Sequence, residues 1–397
     1  MKTLQSPVPL RRAAPGLPFL RLGFRPFYVG AALFAVLAML LWQGVFTGRL
    51  TPASGLAPVL WHAHEMLFGF VAAVIVGFLL TAGKAWTGLP TPRGAHLGAL
   101  FALWASARVA ALLAPYPVFF FLDVVFLPLV AALFIDLLVR AGNRRNIAVG
   151  AVLALLGAVN LAFHLGASGA LDFDARRALY AALALVIVLE TIIAGRVIPA
   201  FTMNATPGLV LRDARRRDIA AIALTALGLA CWAFDGPHRI PAALLLAAAA
   251  GLQVQRLLSW APWRTWRRPI LWILPLSYAW IPVGLALLAA ERMGWLAASM
   301  GVHALAVGAI GGMIIGMLTR TARGHTGRPL RASPVEVGAY ALLAAAAFVR
   351  VFVPFAWPTL YVGALLLAGS LWVAAFAIYL VRYTPWLVTT RLDGQDG

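Results

Sequence analysis

The chain reads as an all-α, polytopic transmembrane bundle of about twelve spans, N-in/C-in, and three observations carry that expectation. Of its 397 residues, 62% are hydrophobic and 11% charged, where a soluble domain is nearer ~25% charged. A soluble core cannot hide so much apolar surface. Runs of roughly 20 apolar residues, enough to cross a hydrocarbon core of about 30 Å, recur from Phe24 almost to the C-terminus. Finally, the cations alternate along the chain in step with those runs.

Span one (24–48) follows a segment, Met1 to Leu22, that carries Pro and Arg without the uninterrupted apolar stretch of a cleavable signal, so the span acts as its own insertion signal. Span two (59–83) opens on Trp61-His62-Ala63-His64-Glu65-Met66 and ends in the Gly/Pro-bearing turn from Thr87 to Gly94. Spans three (95–114), four (117–140), five (146–167) and six (177–203) follow with short connections. Spans seven (218–234) and nine (270–291) are preceded by the basic stretches Arg212–Arg217 and Arg264–Arg268, ordinary positive stop signals, with span eight (239–259) between them. Span ten (294–319) carries Gly308, Gly312 and Gly316 at four-residue spacing. That bare face suits close helix packing first and a flat cofactor second. Spans eleven (334–355) and twelve (358–381) complete the set, giving a cytoplasmic segment 1–23, a single bundle 24–383 and a cytoplasmic tail 384–397, with no repeat or domain boundary visible.

With the N-terminus inside, 24 of the 32 Lys and Arg fall on cytoplasmic segments or the span ends that flank them, while Arg49, Arg176, Arg177, Arg239 and Arg292 face the other side. The formal charge of +19 is thus read as the positive-inside bias of a membrane protein in contact with lipid, and nucleic acid is not an expected partner. Cys231 is the only cysteine, which excludes an intrachain disulfide and cysteine-ligated clusters and leaves His, Met and carboxylate as metal ligands.

Ionisable groups inside a bilayer cost several kcal/mol unless paired, hydrated or metal-bound, so they mark where function sits. On this topology His62, His64, His164 and His303 all fall in the outer half, as do Glu65, Arg108, Asp123 and Arg350; Glu190 lies near mid-depth of span six, and Arg196 nearer the cytoplasm. Imidazoles suit iron, copper and zinc, and arginine suits the propionates of haem. Residues two apart on an α-helix point about 200° apart, so His62 and His64 should serve different sites. A helix end standing in water, flanked by the belt residue Trp61, is the plain alternative. Glu65 is a candidate support for a ligand or a proton acceptor, Glu190 a candidate proton relay or a structural acid, and Arg108, Arg196 and Arg350 candidate contacts for a cofactor's anionic groups. His96 and His238 lie in predicted loops; His325 belongs to a cytoplasmic turn or to a separate site.

Several of these residues, His62, His64, Glu65, Arg196, His303 and His325, lie in stretches that resemble the NnrS family: Gly23-Phe24-Arg25-Pro26-Phe27-Tyr28, Trp61 to Thr81, Asn143-Arg144-Arg145-Asn146, Gly195 to Thr202 and His303 through Arg328. The chain departs from the family pattern at Gly83-Lys84-Ala85-Trp86-Thr87-Gly88, which leaves that loop's role open. The resemblance implies a multi-pass protein of the bacterial inner membrane that contains haem, of the b type, and copper, is linked to nitric oxide metabolism and nitrosative stress, and has histidines as ligands. It implies nitric oxide or a similar diatomic as ligand and an electron donor that the sequence does not identify. Haem–copper oxidases also place two histidines two apart on one helix, an analogy only. Two other classes stay open. One is a transporter or metal-delivery protein using the histidines and Glu190 as a path; the other is an assembly or sensing partner of a respiratory complex.

Overall fold

The computed structural model describes residues 16–212, 214–234 and 239–395. All regular structure among them is helical. Twelve segments cross the bundle: α1 (Phe24–Phe46), α2 (Pro58–Thr87), α3 (Ala95–Leu113), α4 (Tyr116–Arg140), α5 (Arg144–Ala167), α6 (Ala175–Ala205), α7 (Arg215–Ala233), α8 (Arg239–Ser259), α9 (Pro269–Arg292), α10 (Ala298–His325), α11 (Pro334–Ala356) and α12 (Pro358–Leu387). Eleven are long and apolar enough to span a membrane. The other, α7, opens on Arg215-Arg216-Arg217-Asp218, and that charge dilutes its apolar run.

Burial is inverted relative to a soluble protein. Leu33, Leu37 and Leu40 are exposed along one face of α1, while Arg25 on the same helix is fully buried, donating to the carbonyls of Leu387 and Thr389 at 2.8 Å each. An apolar outer face is the arrangement a hydrocarbon solvent selects, and polar groups must then find partners inside.

Sequential helices pack as neighbours, and α12 closes the circuit against α1 and α11. Inside it run α2, α6 and α10, whose most apolar windows are 72%, 61% and 72% buried, against 33–39% for α1, α3, α4, α8, α11 and α12. Every fourth helix is therefore an inner one, a recurrence of shape that leaves no repeat in the sequence. The glycine face of α10 accounts for the similar burial of α9: a Cβ on Gly308, Gly312 or Gly316 would collide with Trp280, Ser277 or Leu274 of α9. The stripe is used for close helix packing.

Two helix ends and the surroundings of one arginine differ from the sequence expectation. Helix α10 continues to His325, through residues expected in a loop, because Arg323 pairs with Glu336 at 2.8 Å and Arg320 lies over the Phe201 ring at 3.6 Å, so the basic turn finds partners while still helical. Helix α12 continues to Leu387, carried by stacking between Tyr379 and Tyr383 and by Trp386. Arg256, grouped by sequence with the basic loop after span eight, is 2% exposed inside the bundle, bonded to the Thr191 carbonyl and the Tyr278 hydroxyl at 2.9 Å. His238 lies outside the described residues.

Candidate metal centre

The two inner helices that carry histidines share a local irregularity. In α2 the α-helical turns end at His64 and a π-helical stretch runs Glu65–Val71; in α10 they end at His303 and a π-helical stretch runs Ala304–Gly311. A π-turn adds a residue, re-aims the side chains beside it and is common at functional sites. Within the first stretch the Gly69 carbonyl is taken by Trp104 Nε1 at 2.9 Å.

His64 is fully buried, and its ring lies among those of Phe68, Phe119 and Phe163, with centroids 5.0, 5.3 and 4.5 Å away. Its Nδ1 lies 2.9 Å from Glu65 Oε1, so the carboxylate holds the Nδ1 proton and Nε2 presents a lone pair. That Nε2 faces acceptors: Asn160 Oδ1 at 3.0 Å and Asp123 Oδ2 at 3.3 Å. His164 brings its Nε2 to 3.1 Å from the same Asp123 oxygen. The Tyr116 hydroxyl lies 2.9 Å from His164 Nδ1 and 3.2 Å from the His164 carbonyl, so it can donate to the carbonyl while accepting the Nδ1 proton. Two imidazole lone pairs and a carboxylate then converge, with all three donor atoms within 4.8 Å of one another.

That convergence fits a metal ion. Nitrogen and oxygen ligands about 2.0–2.1 Å from a tetrahedral ion are separated by roughly 3.3 Å, and the two donor pairs on Asp123 stand at 3.3 and 3.1 Å. Each histidine has its second ring nitrogen fixed by Glu65 or Tyr116, the support that orients metal-bound imidazoles. Arg108 joins the two carboxylates, 2.7 Å from Glu65 Oε1 and in direct contact with Asp123. With neutral imidazoles the set carries one net negative charge, which favours a cation. Glu65 Oε2 and Arg108 Nε remain buried without a hydrogen-bond partner.

A second set lies on the other face of α2. The His62 ring stacks on Trp42 at 4.3 Å and 17°. His303 places Nδ1 2.8 Å from the Ser299 carbonyl one turn earlier, which directs its Nε2 lone pair outward. Arg350 donates to Ser299 Oγ at 3.0 Å and interacts electrostatically with both imidazoles, as His62 does with His303. Two imidazoles with an arginine beside them are a donor set suited to haem iron and an acidic side group.

The remaining candidates lie apart from both sets. Glu190 stands in an apolar cavity between α2, α6 and α10. Arg196 bonds Asn146 Oδ1 at 2.7 Å. His325, at the far end of α10, packs against Phe24 with Arg25, Lys84 and Arg391 nearby, and His96, expected in a loop, is exposed in the first turn of α3. Sequence reasoning placed Asp123 at this depth without naming it a ligand, and passed over Asn160, Tyr116, Trp42 and Ser299. The signal was present for two of them: Asn160 and Ser299 each lie four residues before a histidine, one helical turn away.

No curated protein matches the chain significantly. The family model described as NnrS protein matches residues 18–391, nearly the whole chain and all the residues of both histidine sets, and the chain therefore belongs to the NnrS family.

Proposed function

We propose that this protein binds nitric oxide at a haem held in the outer half of the bacterial inner membrane, with copper in a neighbouring site. The observation that carries the reading is the division of the histidines: two residues apart on α2, His62 lies within electrostatic range of His303 and Arg350, while His64 converges with Asp123 and His164. His62 or His303 would ligate the haem iron, the other lining its pocket so that a diatomic can bind, with Arg350 for a propionate; His64, Asp123 and His164 would hold copper. When bound, the haem iron supplies the site for a diatomic ligand and copper a second redox centre. The chain contributes the rest. Glu65 and Tyr116 fix the histidine tautomers, Arg108 keeps two buried carboxylates together, and the phenylalanine rings around His64 exclude water.

Purified protein should show a Soret band that shifts when nitric oxide is added to the dithionite-reduced form, with iron and copper both present by metal analysis. Protein without haem, from cells that load a control haem protein, would overturn the reading. If such protein moved copper across vesicle membranes, the transport class would replace it.

A further inference from the structure

We propose that the cavity between the three inner helices is a binding site for a neutral, lipid-soluble molecule whose apolar body ends in a hydrogen-bonding oxygen, the chemistry of a quinone or quinol ring. The cavity is about 100 Å³. For comparison, an apolar cavity of about 150 Å³ stays dry and takes up benzene, so the enclosed space takes the leading edge of a ring or the end of an alkyl chain, and the rest of the ligand lies in the partly open end. Fourteen of its sixteen lining residues are apolar. The polar exceptions are Tyr28, whose hydroxyl lies near Thr321 but is buried without a hydrogen-bond partner, and Glu190. Glu190 is 9% exposed, and its Oε1 is buried without a hydrogen-bond partner.

The lining selects among occupants. Water needs two to four polar partners, and the walls offer at most the Glu190 carboxyl and the Tyr28 hydroxyl. An apolar gas leaves that carboxyl unsatisfied, at the cost of a buried polar group without a bond. An anionic ligand finds no counter-charge at all, and a cationic one finds only the single Glu190 carboxyl in an otherwise apolar wall. A molecule with an apolar body and one terminal hydroxyl or carbonyl satisfies the walls and Glu190 together. Burial along the cavity gives it a direction: Val71, Val186 and Ile310 around Glu190 are buried, whereas Phe78, Val197 and Met317, further from the histidine end, are partly exposed. The ligand enters between those residues with its oxygen leading. The site shares no residue with either histidine set.

The test uses the full chain in lipid nanodiscs, with decylubiquinone as the probe and 1-dodecanol as competitor, and measures equilibrium binding. Wild type should bind saturably. Glu190→Leu should bind at least tenfold more weakly, Glu190→Gln, which keeps hydrogen-bonding capacity, within about threefold of wild type, and Val197→Trp, placed at the partly open end, should block entry. Thermal melting reports whether each variant folds. Displacement of the probe by dodecanol would assign the ligand to the wider class of long-chain alcohols, and no displacement to quinones. Absence of saturable binding to wild type, or equal binding by folded Glu190→Leu and Val197→Trp, would overturn the proposal. Haem content and the nitric oxide shift are read separately, so failure here is distinguishable from failure of the nitric oxide reading.

Discussion

Replacing Asp123 by asparagine separates the structural role of the His64 cluster from the metal-binding role proposed for it. The carboxylate accepts from Asn160 Nδ2 at 2.6 Å, approaches both histidine Nε2 atoms and contacts Arg108. An amide of the same shape keeps one oxygen for Arg108 but removes the negative charge and the second acceptor. Arg108 is not stranded, because Glu65 Oε1 still holds it at 2.7 Å. The folding cost is therefore that of weakening charge-assisted hydrogen bonds, about 1.5–3 kcal/mol. Copper should suffer more: loss of a supporting contact to a ligand costs about 10–100-fold in affinity, and here a ligand itself is lost and the cluster's net charge goes from minus one to zero. At least a 100-fold loss is expected, read by competition with a copper chelator, alongside thermal melting in detergent. Wild-type copper affinity in a folded Asp123→Asn protein would refute the assignment of Asp123 as a ligand.

Arg108→Ala should be worse for folding than Asp123→Asn, by about 3–5 kcal/mol, since it leaves two buried carboxylates without their cation; melting temperatures of the pair check the order. Arg350→Ala should leave the haem band in place but weaken haem retention about 10–100-fold, the worth of a charge-assisted contact, as measured by transfer of haem to an apoprotein acceptor. Gly195→Val should destabilise by about 2–4 kcal/mol, because a Cβ there occupies the space of the buried Arg256 guanidinium. Glu336→Ala should cost about 3–5 kcal/mol, since it removes both carboxylate oxygens from Arg323, at 2.9 and 2.8 Å, and the partner of the Tyr383 hydroxyl.

The fold class was legible because a bilayer imposes one solution: apolar runs of spanning length must become helices. What that rule leaves silent was not legible. The inner positions of α2, α6 and α10 follow from packing between distant segments, and nothing in the span lengths distinguishes them. Helix ends were misplaced where arginines continue a helix by pairing inside the protein, as Arg323 does with Glu336. The opposed directions of His62 and His64 could be worked out from helical periodicity alone. Their partners could not, because His164, Asp123 and Tyr116 come from α4 and α5, and His303 and Arg350 from α10 and α11, and only tertiary structure brings these together. The π-turns after His64 and His303 follow from tertiary packing around the two helices and not from local residue pattern.

The account rests on His62 and His64 serving two centres from opposite faces of one helix, and the most direct test is a pair of single substitutions measured for both metals. His62→Ala should lose or shift the Soret band and retain copper near the wild-type ratio; His64→Ala should lose copper and retain the haem spectrum. Loss of both metals in each folded variant, or retention of both in either, would contradict it.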